Sequence, residues 1–250
     1  MRFPVETHGV RLYNTAHRPF MNITKHIPNT ITCLNLFSGC ISCVMAFQGE
    51  YLYAALFLYL ASVFDFLDGL MARLLNAYSS IGKELDSLSD VVSFGVAPGI
   101  ILFSWLRVIT PEDSFLPYIA FLIPVFSALR LAKFNVDTRQ TSSFIGLPTP
   151  ANAIFIASLI SLNQKTYLSD ILSNVWIIIA LILVLSFLLI SNLPMFSLKF
   201  KNLTWNDNKA CYIFLILSLV LFVVFQLVAI PLIIVLFISM SLLLHLIKDK

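Results

Sequence analysis

Long apolar runs separated by short polar or charged breaks dominate the chain from about residue 30 onward. A bilayer core of roughly 30 Å is crossed by about 20 apolar residues in α-helical form, and eight runs approach that length, the fifth being the weakest. They cover 30–47, 51–73, 86–106, 115–134, 149–164, 170–192, 210–227 and 229–247. Because the runs are continuously apolar and lack the alternation of membrane barrel strands, the pattern predicts an all-α polytopic transmembrane bundle of about eight spans.

The composition agrees with a membrane protein. The chain is 59% hydrophobic and 12% charged, with a mean hydropathy of +0.90, which is too apolar for an ordinary soluble domain. Residues 1–29 are polar and charged and contain no secretory signal. We therefore expect a cytoplasmic or interfacial N-terminal segment at 1–29 and a transmembrane domain at 30–250.

The distribution of Lys and Arg predicts how the bundle is oriented. Positive residues concentrate in cytoplasmic loops. With eight spans and a cytoplasmic N-terminus, every Lys and Arg except Arg107 and Lys165 falls in a cytoplasmic segment. This arrangement predicts that both termini are cytoplasmic.

A group of four Asp residues borders the second and third predicted spans. Asp65 and Asp68 are spaced i, i+3 at the end of one helix, and Asp86 and Asp90 are spaced i, i+4 at the start of the next, so each pair shares a helix face. A single Asp at mid-span costs about 2.5–3.5 kcal/mol on insertion scales. A solvated loop does not explain Asp65 and Asp68, because they follow the apolar stretch LFLYLASVF without polar punctuation.

The segment between the two pairs, 74–84, is short and predicts that the two helices are antiparallel neighbours with converging carboxylates. Facing carboxylates require cations between them, and hard oxygen ligands favour Mg²⁺, Mn²⁺ or Ca²⁺ over zinc. Two divalent ions about 3.5–4 Å apart are a standard arrangement for displacement at phosphorus. The cluster therefore indicates phosphoryl-group chemistry.

Positions 65 to 90 read DFLDGLMARLLNAYSSIGKELDSLSD, which resembles the signature of the CDP-alcohol phosphatidyltransferase family, DxxDGxxAR followed after eight residues by GxxxDxxxD. The resemblance implies that Asp65, Asp68 and Asp86 ligate two metal ions, and that Asp90 also ligates and acts as the general base on the acceptor alcohol. It also implies CDP-diacylglycerol as the donor substrate.

By the same resemblance, Gly69 and Ala72 let the nucleotide lie close to the second helix, although small residues also serve helix packing alone. Arg73 is expected to pair with an Asp or with the nucleotide phosphates, and Gly82 to let the loop turn tightly before the third helix. Asn29 and Thr32, near the cytoplasmic end of the first span, either contact the nucleotide or serve as polar contacts between helices.

The sequence on either side of the signature indicates which alcohol is the acceptor substrate. Members of the family use glycerol phosphate, inositol phosphate, serine or choline. Three stretches, PNTITCLNLFSG, SDVVSFGVAP, and ALRLAKFN with FIGLPTPANA, are similar to the branch whose acceptor is L-serine. Arg130 and Lys133, spaced i, i+3, are expected to form a cationic patch for the pyrophosphate or the serine carboxylate, with snorkelling to the interface as the alternative.

The resemblance further implies a homodimer in contact with membrane lipid and no nucleic-acid partner. Because serine is cytosolic, we expect a multi-pass protein of the cytoplasmic (inner) membrane whose active site faces the cytoplasm. A different acceptor alcohol is the nearest alternative. A transporter or channel also places Asp residues in helices, but that function does not require the GxxxDxxxD spacing.

Overall fold

The computed structural model describes residues 26–136, 144–162, 169–196, 204–205 and 208–248. In these residues the chain is all-α apart from one pair of two-residue strands. The helices are α1 (His26–Phe47), α2 (Tyr51–Leu74), α3 (Ser80–Asp90), α4 (Ala97–Ile109), α5 (Leu122–Val136), α6 (Thr149–Leu162), α7 (Ser169–Leu172), α8 (Val175–Ile190), α9 (Lys209–Phe225) and α10 (Ala229–Lys248). The strands are β1 (Phe144–Ile145) and β2 (Pro194–Met195).

Within the described residues each predicted apolar run is mainly helical, which confirms the all-α fold, although the sixth run is interrupted at 173–174 between α7 and α8. By length and composition, five helical stretches within the described residues can span a membrane. They are His26–Phe47, Tyr51–Leu74, Ser80–Ile109, Leu116–Val136 and Lys209–Leu246. The last stretch is divided into α9 and α10 at Gln226, whose φ of 51° breaks the helix. Thr149–Leu162 and Val175–Ile190 are shorter apolar helices. Most of the predicted N-terminal segment lies outside the described residues.

Helix α1 is the support on which the first half of the protein is assembled. It forms a hairpin with α2, and the Ser42 hydroxyl donates a hydrogen bond of 2.7 Å to the Ala54 carbonyl across the pair. The facing residues are small, including Ala46, Ala54 and Ala61, all fully buried. Small residues let helices approach closely where lipid provides no hydrophobic drive for association.

A single long helical stretch contains α3, a π-helical segment at Val91–Val96, and α4. The π-helical segment packs between α1, α5 and α6. A Cβ at Gly39 of α1 would lie 2.8 Å from the Ser93 Cα, so the backbones are in contact there. The Ser89 hydroxyl donates a hydrogen bond of 3.3 Å to the Thr32 carbonyl, and the Ser93 hydroxyl donates one of 3.1 Å to the Asn35 carbonyl. These two bonds connect the long helical stretch to α1.

The short connection brings the Asp-bearing ends of α2 and α3 together as expected, but α2 and α3 have little contact along their lengths. Both helices pack mainly against α1 rather than against each other. The connection between α2 and α3 is also shorter than expected. α3 begins at Ser80, and its first two turns are polar, so a search for apolar runs does not find them. The capped turn therefore keeps the ends of α2 and α3 close, while α1 rather than α3 covers the length of α2.

The β pair ties the connection before α6 to the end of α8. Phe144 pairs with Met195 and Ile145 with Pro194 in antiparallel register. Gly146 follows with a φ of 76°, and its N–H donates to the Leu193 carbonyl at 2.9 Å. A Cβ at Gly146 would lie 2.7 Å from the Leu189 carbonyl oxygen, so a glycine is required there on both conformational and steric grounds.

Candidate active site

Two caps fix the short turn between the Asp-bearing ends of α2 and α3. At the end of α2, Asn76 has a φ of 48°, and the N–H of Ala77 donates to the Ala72 carbonyl at 3.0 Å. This is the hydrogen-bond pattern of a Schellman motif. At the start of α3, the Ser79 hydroxyl accepts a hydrogen bond of 2.9 Å from the Gly82 N–H, as expected of an N-cap residue.

The carboxylates of the two helices meet as predicted. One carboxylate oxygen from each of Asp65, Asp68 and Asp86 lies within 4.8 Å of the others. The Asp90 carboxyl group lies within hydrogen-bonding reach of Asp65. The four side chains from two helices thus form one acidic cluster, which we call the Asp cluster.

The Asp cluster is largely withdrawn from solvent. Asp68 is 6% exposed and Asp90 is 9% exposed. Oδ2 of Asp68 and Oδ1 of Asp90 are buried and have no hydrogen-bond partner. Buried, unpartnered carboxylate oxygens on facing groups are unfavourable alone and become ligands when a cation binds. The residues therefore fit a hard divalent ion, in agreement with the predicted donor set.

A cavity of about 300 Å³ opens beside the Asp cluster, between the start of α1 and the facing ends of α2 and α3. Its lining contains most of the residues predicted to contact a nucleotide. The lining residues are Pro28, Asn29, Thr32, Asp68, Gly69, Ala72, Arg73, Ala77, Tyr78, Ser79, Gly82, Lys83 and Asp86. The volume falls at the lower end of the range of about 300–1,000 Å³ for small-ligand sites.

Two glycines of the signature have different structural roles. A Cβ at Gly69 would meet nothing within 4 Å, so any side chain there projects into the cavity. Gly82 lies in the first turn of α3 rather than in the preceding loop, which corrects the expectation of a glycine-dependent turn. A Cβ at Gly82 would lie 2.9 Å from both Asn29 Oδ1 and Ser79 Oγ, so the glycine permits α1 to approach α3.

The polar residues of the cavity are partly held by the protein itself. The Thr32 hydroxyl lies 3.0 Å from the Pro28 carbonyl and within hydrogen-bonding reach of Asp68. Arg73 Nε donates to the Gly69 carbonyl at 3.0 Å, which places its guanidinium at the cavity wall. The terminal nitrogens of Arg73 stay available, so its expected pairing with an Asp or with nucleotide phosphates stays a prediction.

The structure separates the two basic residues of α5. Arg130 is buried near Asp90, and its Nε has no hydrogen-bond partner, whereas Lys133 is exposed. Neither lines the cavity described above. The i, i+3 spacing therefore does not create one shared patch, because the helix turns Arg130 toward the interior and Lys133 toward the surface.

Tyr78 and Lys83 line the cavity but are not among the site residues predicted from the sequence. Lys83 is three residues before Asp86 in α3, so the helical period places both on one face and identifies Lys83 in retrospect. For Tyr78 the sequence carries no comparable signal, because its position depends on the turn that follows α2.

A helical membrane bundle with a buried carboxylate cluster beside a small-ligand cavity defines the class of protein. The chain belongs to the CDP-alcohol phosphatidyltransferase family, whose sequence model matches residues 25–187. That range contains the Asp cluster, the cavity and Arg130, and it ends before α9 and α10.

Relatives within the family are also similar along most of the chain. The chain is 32% identical over 197 residues to the CDP-diacylglycerol–serine O-phosphatidyltransferase of Helicobacter pylori, covering 77% of this chain and 80% of that protein. It is 37% identical over 126 residues to the Bacillus subtilis protein of the same name, covering 50% and 70%. It is 36% identical over 140 residues to the archaetidylserine synthase of Methanothermobacter thermautotrophicus, covering 53% and 56%.

We expect the Asp cluster to bind Mn²⁺, and the Asp68→Asn variant to bind it at least about tenfold more weakly because one ligand and one charge are removed. Titration followed by electron paramagnetic resonance measures free Mn²⁺ directly. Asp113→Asn, which changes an exposed carboxylate between α4 and α5, is the matched control. Equal Mn²⁺ affinity in both variants would contradict the assignment of the Asp cluster as the metal site.

Proposed function

We propose that this protein is a CDP-diacylglycerol–serine O-phosphatidyltransferase, which transfers the phosphatidyl group of CDP-diacylglycerol to the hydroxyl of L-serine and releases CMP. The observation that carries the proposal is the Asp cluster beside a cavity lined by the family signature. The names of the relatives from Helicobacter pylori and Bacillus subtilis support serine as the acceptor.

Asp65, Asp68, Asp86 and Asp90 are proposed to hold two divalent ions, Mg²⁺ or Mn²⁺, with Ca²⁺ as a further ion that the oxygen ligands accept. The ions, when bound, neutralise negative charge that develops on the phosphoryl oxygens. The protein contributes the arrangement of the ligands. Its capped turn holds Asp68 and Asp86 facing one another before any ligand arrives, so little reorganisation is needed on binding.

The cavity is the proposed site of the cytidine nucleotide. Gly69 and Ala72 leave room along α2, and Asn29 and Thr32 supply polar groups from α1. Arg73, with Lys83 opposite on α3, brings positive charge to the cavity wall for the diphosphate. Gly82 acts by allowing Asn29 to approach α3.

Asp90 is the proposed general base, and the acceptor lies on its side of the cluster. As the serine oxygen bonds to phosphorus, its proton passes to the Asp90 carboxylate and the bond from phosphorus to the CMP oxygen breaks. Arg130, buried near Asp90 with its Nε unpaired, is positioned to bind the serine carboxylate. Lys133 is exposed at the end of α5, where it favours arrival of anionic substrates rather than direct contact.

The proposed setting is the cytoplasmic membrane, with eight spans, both termini in the cytoplasm, and the Asp cluster at the cytoplasmic face. The concentration of Lys and Arg in alternate connections supports this topology. The resemblance also implies a homodimer. The mass of the detergent-solubilised protein tests this proposal, because a particle that contains one copy of the chain would contradict it.

CMP release by the purified protein with CDP-diacylglycerol is expected to require Mg²⁺ or Mn²⁺ and to be stimulated by serine. Parallel reactions contain glycerol phosphate, inositol, inositol phosphate or choline in place of serine. Stimulation by another alcohol alone would keep the reaction type and reject serine. Absence of release with every acceptor would reject the enzymatic function, and flux across sealed vesicles would then support transport.

Replacing Asp90 by Asn should lower kcat by at least about 10³-fold, because the variant cannot take the proton of the acceptor, for which general bases contribute about 10²–10⁴. Single-turnover CMP formation at saturating serine and Mn²⁺ measures the chemical step. Asp113→Asn again serves as control. A variant with near-normal turnover would show that Asp90 is not the base.

Topology can be tested with single cysteines in a variant lacking Cys33, Cys40, Cys43 and Cys211. Cysteines replacing the exposed residues Ser80 and Asp113 lie on connections predicted to face opposite sides of the membrane. In intact cells a membrane-impermeant maleimide should label the Asp113→Cys variant and reach Ser80→Cys only after permeabilisation. Labelling of Ser80→Cys in intact cells would reverse the proposed orientation.

A further inference from the structure

Two polar side chains in the first turns of α6 are buried without hydrogen-bond partners. Asn152 is fully buried, and both Nδ2 and Oδ1 are unpaired; Thr149 is 1% exposed, and its Oγ1 is unpaired. Further along the helix, Ser158 and Ser161 donate to backbone carbonyls at 2.8 and 3.1 Å. An unpaired buried amide costs roughly 1–3 kcal/mol. The start of α6 therefore offers polar atoms that a ligand can satisfy, whereas the two serines further along the helix are already hydrogen-bonded.

The position of α6 places these groups beside the Asp cluster. α6 packs along α2, and the Tyr59 hydroxyl lies within hydrogen-bonding reach of the Ser161 hydroxyl. An antiparallel course of α6 along α2 accounts for both this contact and the packing of α6 on the π-helical segment that follows Asp90. In that arrangement, the residue nine positions before Ser161 lies beside the residue nine positions after Tyr59. Asn152 is therefore at the level of Asp68 at the end of α2.

Asn152 points into the bundle. Pro150, Ala151 and Ile154 line an apolar cavity of about 440 Å³ between α6, α9 and α10. With about 3.6 residues per helical turn, Asn152 lies on the face of α6 roughly opposite these three residues. Because it is also fully buried, its amide is directed toward α2 and the π-helical segment.

In phosphoryl transfer, the leaving nucleotide and the attacking acceptor lie on opposite sides of the phosphorus atom, so the two sides of the Asp cluster have different roles. Among the described residues, the nucleotide cavity is lined by Asp68 and Asp86 but not by Asp65 or Asp90. The attacking and leaving oxygens of the displacement are roughly in line on opposite sides of phosphorus. The acceptor must therefore approach from the side of Asp65 and Asp90, where the π-helical segment, α5 and α6 lie.

We propose that Asn152 and Thr149, with Arg130, form the subsite for the amino-acid acceptor, and that Asn152 binds the ammonium group of serine. This inference rests on the proposed function. The Asn152 Oδ1 and Thr149 Oγ1 atoms accept hydrogen bonds from the ammonium, Arg130 binds the carboxylate, and the serine hydroxyl is left toward Asp90. A neutral amide suits this role, because a further carboxylate would add to the repulsion in the Asp cluster and compete for its metal ions.

The assignment also accounts for selectivity between acceptors. A site that is built to hydrogen-bond a substrate group strongly rejects analogues that lack it, because its buried polar atoms are then left unpaired. Glycerol phosphate and inositol phosphate have no ammonium group. Their hydroxyl groups can reach the Asn152 amide, but they form weaker hydrogen bonds to Oδ1 than the charged ammonium of serine does.

The test uses Asn152→Leu, which keeps the side-chain volume and removes the amide. Initial rates of CMP release at saturating CDP-diacylglycerol give KM for serine, and inhibition by 3-hydroxypropanoate, which lacks the ammonium, gives its Ki. We expect a rise of about tenfold or more in the serine KM, with less than about a twofold change in the Ki and in the KM for CDP-diacylglycerol. Ser158→Ala, a buried hydroxyl on the same helix that is already satisfied, is the control and should match the unmodified protein.

A serine KM within about twofold of the unmodified protein would overturn the assignment, as would equal weakening of serine and 3-hydroxypropanoate, which indicates general damage to the pocket. If Asn152→Leu fails to fold, Thr149→Val provides the second variant and should weaken serine selectively by about threefold. The unmodified protein is assayed first. Release of CMP with another alcohol but not serine would contradict the proposed function itself, whereas normal serine dependence with unaffected variants rejects only the subsite.

Discussion

Mutual repulsion among four carboxylates at the ends of two membrane helices is the constraint on which the structure depends. Such groups do not stay together in an apolar environment unless the chain holds them there. The carboxylates are held together by a short connection in the chain and by the hydrogen bonds that cap the adjoining helix ends. A short turn, capped at one end by a Schellman motif around Asn76 and at the other by Ser79, joins the helices that carry Asp68 and Asp86. The repulsion is thereby converted into affinity for divalent cations.

Helix α1 makes this arrangement possible by supporting both Asp-bearing helices from one side. Small and polar residues on one face of α1 let two elements approach closely. Ser42 of α1 is hydrogen-bonded to α2, and Gly39 of α1 lies against Ser93 of the π-helical segment. Because α2 and α3 pack mainly on α1 rather than on each other, a cavity remains between the start of α1 and the facing ends of α2 and α3. The same packing that stabilises the bundle therefore creates the space for a ligand.

The site has two sides with different chemistry. Toward α1 the cavity is open and carries Arg73 and Lys83, which suits a nucleotide diphosphate. On α5 and α6, the buried side chains of Arg130 and Asn152 carry unpaired polar atoms, which suits the proposed acceptor side. A displacement at phosphorus needs both sides, one for the leaving nucleotide and one for the incoming alcohol. The burial of the second side keeps water, a competing acceptor, from the reacting atoms.

Sequence by itself determined the all-α membrane class, the helical runs and the convergence of the Asp residues, because apolar length and i, i+3 or i, i+4 spacing are local properties of a helix. It also selected Gly69, Ala72 and Arg73, which the structure places at the wall of one cavity, through a signature whose positions lie on one helix face. Only the tertiary structure decided that α2 and α3 pack on α1 rather than on each other, that Gly82 lies inside α3, and that Arg130 and Lys133 face different environments. It alone buried Asn152 in the bundle without a hydrogen-bond partner. These outcomes depend on which helices pack together, and packing partners far apart in the chain are not specified by the periodicity of either helix.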